Sequence, residues 1–166
     1  MAAVFPKIVP VEFSGAPLGR LVILEVRQSV EMAVVVGKGD DKFLFYLTPK
    51  DAAYFVQKTP ADKEMLLVDH DVRISIDTGS VSRISGFYEP DSVGFLLAVS
   101  DGSCAIVCSE YDGFDHENAL VRIHDWQVSG ERPKIRLGTR HWQIEVLDET
   151  CGRWSKLYPR NVVANA

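Results

Sequence analysis

The chain has 166 residues, 46% of them hydrophobic and 25% charged, with 12 Gly and 8 Pro, a composition that excludes disordered, collagen-like and coiled-coil classes. A formal charge of -5 and a pI near 5.3 argue against a general nucleic-acid binder, because neutralising phosphates requires a net basic face. A chain of 18.5 kDa buries about 69% of its extended surface on folding, enough for one core without metals or disulfides. The expected organisation is a single β-rich domain over residues 1–157 with a C-terminal tail over 158–166.

No run of 18 apolar residues occurs, and the first eleven residues carry Lys7, Pro6 and Pro10 where a secretory signal needs a longer apolar stretch. The expectation is a cytoplasmic protein with no membrane partner. Three cysteines, Cys104, Cys108 and Cys151, are too few and odd in number for a disulfide framework, which fits a reducing compartment.

Val occurs 21 times and Ile 9 times against 13 Leu, a β-branched bias that suits a pleated surface and slightly disfavours helix. Residues 20–27 and 30–37 are two strands separated by Gln28 and Ser29. A Gly37-Lys38-Gly39-Asp40-Asp41 turn then leads into a third strand at 43–47, completing a meander. Thr48-Pro49-Lys50-Asp51 supplies an N-cap, a first-turn proline and an acid, followed by Ala52, Ala53, Phe55 and Val56 at helical spacing, so a short helix is expected to run to about Lys58. Thr59-Pro60-Ala61-Asp62 repeats the signature and either starts another helical turn or breaks the first before Met65.

From Asp71 the alternation sharpens, with Val72, Ile74 and Ile76 on one face and Arg73, Ser75 and Asp77 on the other. Turn sequences then recur around residues 77–80, 89–92, 100–103, 129–133, 138–140 and 148–152. Residues 93–99 and 104–108 are apolar at nearly every position, which predicts an antiparallel hairpin through the 100–103 turn, covered on both faces. The expected fold is mainly β: an antiparallel β-sandwich or barrel built from consecutive hairpins, with one or two short helices near residues 49–68.

Charge is segmented along the chain. Residues 84–121 hold seven acids and no Lys or Arg, whereas residues 122–160 hold eight basic residues against five acids. Within the acidic segment, residues 110–118 carry Glu110, Asp112, Asp115, Glu117 and His116, but their spacing does not match the twelve-residue calcium loop. A solvated acidic loop is expected, with no metal and no cofactor. Cys104 and Cys108, four apart in a strand, lie about 13 Å apart, too far to share a metal or a disulfide. They read as core thiols, and Cys151, in a Thr-Cys-Gly turn, as the accessible one.

If residues 118–128 form one strand, Leu120, Arg122, His124, Trp126 and Val128 share a face while Ala119, Val121 and Ile123 point into the core. Pairing that strand with Lys134-Ile135-Arg136-Leu137 would gather Arg122, His124, Lys134 and Arg136 into a basic patch beside the Trp126 ring. The competing account is a solvated face on which Asp125 and Glu145 supply counter-charges. No nucleophile elbow and no metalloprotease helix is present. The features together point to a non-catalytic β-rich interaction protein that binds a protein partner or associates with itself, with Arg122, His124, Trp126, Lys134 and Arg136 as the contact residues. The alternative is a β-barrel pocket that binds or processes a small anionic ligand through Arg122 and Arg136, with His124 placed for proton transfer.

Overall fold

The computed structural model describes residues 7–47, 54–83, 92–98, 103–111, 116–131, 137–148 and 151–158. The strands of the first half are β1 (Ile8–Glu12), β2 (Leu21–Val26), β3 (Ser29–Lys38), β4 (Asp41–Tyr46), β5 (Phe55–Gln57) and β6 (Glu64–Val68). Those of the second half are β7 (Val72–Ile76), β8 (Ser82–Arg83), β9 (Leu96–Ala98), β10 (Cys104–Tyr111), β11 (His116–Arg122), β12 (Val128–Ser129), β13 (Leu137–Thr139), β14 (Trp142–Asp148) and β15 (Arg153–Tyr158). The protein is mainly β, as composition requires.

The meander forms as expected: β2 and β3 pair antiparallel from Leu21↔Val34 to Val26↔Ser29, and β3 and β4 from Ala33↔Tyr46 to Lys38↔Asp41. Its first turn falls at Arg27 and Gln28, both at positive φ (48° and 67°), the backbone that a two-residue hairpin loop demands.

The expected helix over 49–58 does not extend through Phe55–Gln57, which form β5, antiparallel to β4 and parallel to β10. Residues 48–53 lie outside the described residues. The physical reason is tertiary. Between β4 and β10, Val56 enters one core while Phe55 stacks on Tyr46 at 4.7 Å in another, and both backbone edges find partners, which outweighs a local cap signature. The Pro60 sequence breaks the chain instead of starting a helix: the Lys63 N–H donates to the Pro60 carbonyl at 3.1 Å and β6 follows. Short 3-10 turns occur elsewhere, at Phe13–Gly15 and Thr78–Ser80.

The larger sheet runs β1-β6-β2-β3-β4-β5-β10-β9-β13-β8 and, among the described residues, is open at both ends of that path and does not close as a barrel. On one edge of β10, β9 pairs with its first half and β5 with its second; β11 takes the other edge and carries β12. The hairpin predicted across residues 100–103 is present as the antiparallel β9–β10 pair, Cys104↔Ala98 to Ile106↔Leu96, and its turn lies outside the described residues. A smaller sheet, β15-β14-β7, is separate.

Residues 31–37 of β3 are all buried. Met32, Val34 and Val36 face the main core, which Ile144 and Trp142 of β14 and Val72 and Ile74 of β7 help to fill. Ala33 and Val35 face a second core with Phe13, Leu24, Leu44 and Met65. The period-2 alternation thus feeds two apolar layers, so β3 reads as a continuous apolar run.

Candidate functional site

The β11 strand ends at Arg122, and residues 123–125 turn the chain back so that β12 pairs with the same strand, Leu120↔Ser129 and Val121↔Val128. The single strand expected over 118–128 is therefore a hairpin. Alternation holds before the turn, with Ala119 and Val121 in the main core and Leu120 in a smaller cluster with Ala105 and Val107. It fails after the turn because Trp126 adopts φ +55°, which swings the indole against the main core instead of leaving it beside Arg122.

Arg122 is held within the turn. Its Nη2 donates to Asp125 Oδ2 at 2.6 Å and its Nε to Oδ1 at 3.2 Å, while Oδ1 also accepts the Gln127 N–H at 3.2 Å. His124 is exposed, with Nε2 3.5 Å from Asp125 Oδ2. Asp125 thus supplies the counter-charge; Glu145 pairs with Arg73, at 2.6 Å. Lys134 and Arg136 lie outside the described residues. The strand that follows them, β13, pairs with β8 and β9.

Of the acidic loop, Asp112 and Asp115 fall outside the described residues, Glu117 is exposed and Glu110 pairs with Lys38. No group of three His, Cys, Asp or Glu able to hold a metal occurs among the described residues. The cysteines are free. Cys108 is fully buried, which pushes its thiol up to about 12, with the Glu110 charge adding to the effect.

A surface that the sequence reading did not single out lies at the other end of the larger sheet. Cross-strand pairing sets Ile8, Pro10, Ile23, Val30 and Leu66 on one face of β1, β6, β2 and β3, because Pro10↔Leu66, Ile23↔Leu66 and Glu25↔Val30 are partners. Further along β2 and β3 the same face is main core, at Leu21 and Val34. Here it is open: Val30 is 62% exposed, Ile8 46% and Leu66 36%. Glu12, Glu25 and Glu64 stand on this face, and a shallow depression of about 550 Å³ runs between them. Among the described residues lining it there is no Lys or Arg. The available signal was the parity of Ile8, Pro10 and Glu12 against Glu64 and Leu66, which becomes a surface only once β1 is known to pair with β6.

No family model matches this chain. Neither a curated protein nor a solved structure shows significant similarity to it. No helix among the described residues is long and apolar enough to cross a membrane.

Proposed function

We propose that the chain is a non-catalytic β-rich interaction protein that docks a basic segment of a protein partner, one presenting apolar side chains between Lys or Arg, on the open face of β1, β6, β2 and β3. The observation that carries this reading is the juxtaposition of Ile8, Ile23, Val30 and Leu66 with Glu12, Glu25 and Glu64, with no cation among the described residues lining the depression. Burying such a face supplies the apolar driving force, and a glutamate rim selects a cationic partner and speeds encounter. A second copy of this acidic chain suits the face less well, since its net charge of -5 opposes association and a head-to-tail contact would not close.

The test titrates an alternating Val-Lys peptide of about eight residues, and its Val-Glu counterpart, into the isotope-labelled protein. Amide shifts confined to β1, β6, β2 and β3 with the Lys peptide, absent with the Glu peptide and lost in Glu25→Lys/Glu64→Lys, are expected. Equal binding of both peptides, no binding of the Lys peptide, or a salt-resistant dimer through this face in sedimentation equilibrium overturns the proposal.

A further inference from the structure

The backbone at the open edge of β1 restricts how a segment can reach the docking face, an inference that rests on the function proposed above. The Asp69 N–H donates to the Lys7 carbonyl at 2.8 Å and the Phe13 N–H to the Lys63 carbonyl at 2.9 Å, and the register between them sets Val9 against Leu67 and Val11 against Met65. Odd-numbered residues here therefore turn their amides and carbonyls toward β6, and successive residues of an antiparallel strand point these groups to opposite sides. Ile8, Pro10 and Glu12 point theirs away from β6, where no strand pairs with β1 among the described residues. We propose that Pro10 closes this edge to strand addition, so that the basic segment lies across β1, β6 and β2 instead of extending the sheet beside β1.

Pro10 is the middle one of the three outward positions. It has no N–H, and its Cδ stands in the plane of the sheet where that hydrogen would point. A strand added along this edge would leave a carbonyl facing the ring without a donor, at the centre of the new contact. The existing sheet is not weakened, because Pro10 and Leu66 are a pair that exchanges no hydrogen bonds.

The side chains run the other way, in rows across the strands. Glu12 is opposite Glu64 and Pro10 is opposite Leu66; Ile23 is also opposite Leu66, and the same register carried two residues on sets Glu25 beside Glu64. Three glutamates thus stand abreast on β1, β6 and β2. Pro10, Leu66 and Ile23 stand abreast next to them, about 6.6 Å away along the strands. Like charges directly opposite each other destabilise a sheet, and Lys63 is turned to the opposite face of β6, where its Nζ donates to the Glu25 carbonyl at 2.8 Å. An extended segment lying between the two rows has alternate side chains on opposite sides, so its lysines fall on the glutamates and its apolar side chains on Pro10, Leu66 and Ile23. A strand added beside β1 would turn half of its side chains to the other face and lie three strand spacings, about 14 Å, from Glu25.

The test uses the same Val-Lys peptide and reads amide hydrogen exchange at Ile8 and Glu12 with and without saturating peptide. Exchange at both is expected to change less than twofold, while Glu25→Lys, two strands in from the edge, weakens the peptide by tenfold or more. Pro10→Val supplies the missing donor without touching a bond to β6. In that variant the peptide is expected to slow the Ile8 and Glu12 amides tenfold or more, and to keep its affinity when Glu25→Lys is added. If Pro10→Val does not fold, Pro10→Ala restores the same donor. Tenfold slowing of Ile8 and Glu12 in the wild type, or Glu25→Lys without effect on affinity, overturns the crossing even where the peptide's shifts stay on these strands. Ile8 and Glu12 amides that exchange as fast in peptide-bound Pro10→Val as in the peptide-bound wild type overturn the role of Pro10. A peptide that gives no shifts at all overturns the docking reading, and this inference with it.

Discussion

Replacing Gly19 by alanine tests the packing of the β11–β12 turn against the larger sheet, because the new methyl group would occupy space held by Trp126. Two costs add. An alanine at φ +78° sits in the left-handed region at about 1 kcal/mol. The Cβ would also approach Trp126 Cδ1 to 2.3 Å and Nε1 to 2.5 Å, an overlap that forces the ring aside for about 1–3 kcal/mol by analogy with overpacked cores. The sum is about 2–4 kcal/mol. Gly39 provides the control, since its φ is +62° and nothing lies within 4 Å of the point where a Cβ would stand; Gly39→Ala should lose only the backbone part, about 1 kcal/mol.

Urea unfolding of both variants, with the slope checked for constancy, measures the difference. A second comparison places Gly19→Ala in a Trp126→Ala background, where the overlap is gone and the alanine cost should fall to the Gly39 level. Equal losses at Gly19 and Gly39, or an unchanged Gly19 cost without the indole, would show that Trp126 does not lie over Gly19.

Hydrogen bonding from Arg73 holds the Glu145 carboxyl below its ordinary value of about 4.3. The folded state therefore binds that proton less readily than the unfolded state, and the resulting stabilisation is complete above the ordinary value and lost as pH falls through the folded one. Urea midpoints of wild type and Glu145→Gln should differ more at pH 7 than at pH 3, and a gap of equal size at both would refute the linkage. Iodoacetamide at pH 8 should label exposed Cys151 in the native protein and spare Cys108, whose thiol is buried and raised to about 12. Peptide mass spectrometry reads this directly, and native labelling of Cys108 at the Cys151 rate would contradict its placement.

The β class and the meander were readable because β-branched content and the turn residues around Gly39 are local signals. So was the burial of residues 105–108 on both faces, since Ala105 and Val107 enter one cluster and Ile106 and Cys108 another. Phe55–Gln57 was misread because a proline and an N-cap precede it and three residues cannot display a period. The end of β11 was hidden for a different reason: Ile123 and His124 continue the strand alternation, and no Gly or Pro marks the turn. Asp125 was the cue, as its side chain caps the Gln127 N–H two residues on. The counter-charge at Asp125, three positions from Arg122, was legible as the competing account of the basic face, and the two residues do pair. The open apolar face depended on β1 finding β6, a long-range pairing that no local window contains.

The order in which partners leave the ribosome matters for the smaller sheet. By Val68 the chain has delivered β1, β6, β2, β3 and β4, a mutually paired set. Strand β7 comes next, yet its only partner strand among the described residues is β14, and the cross-strand pair Arg73 and Glu145 is separated by 72 positions. At about 5–20 residues per second, that is a wait of about 4–14 s. Throughout that interval Val72 and Ile74 belong to an unpaired strand, open to mispairing with neighbouring nascent chains. Arg73, a charge at the second position of that strand, is well placed to discourage such pairing until Glu145 arrives.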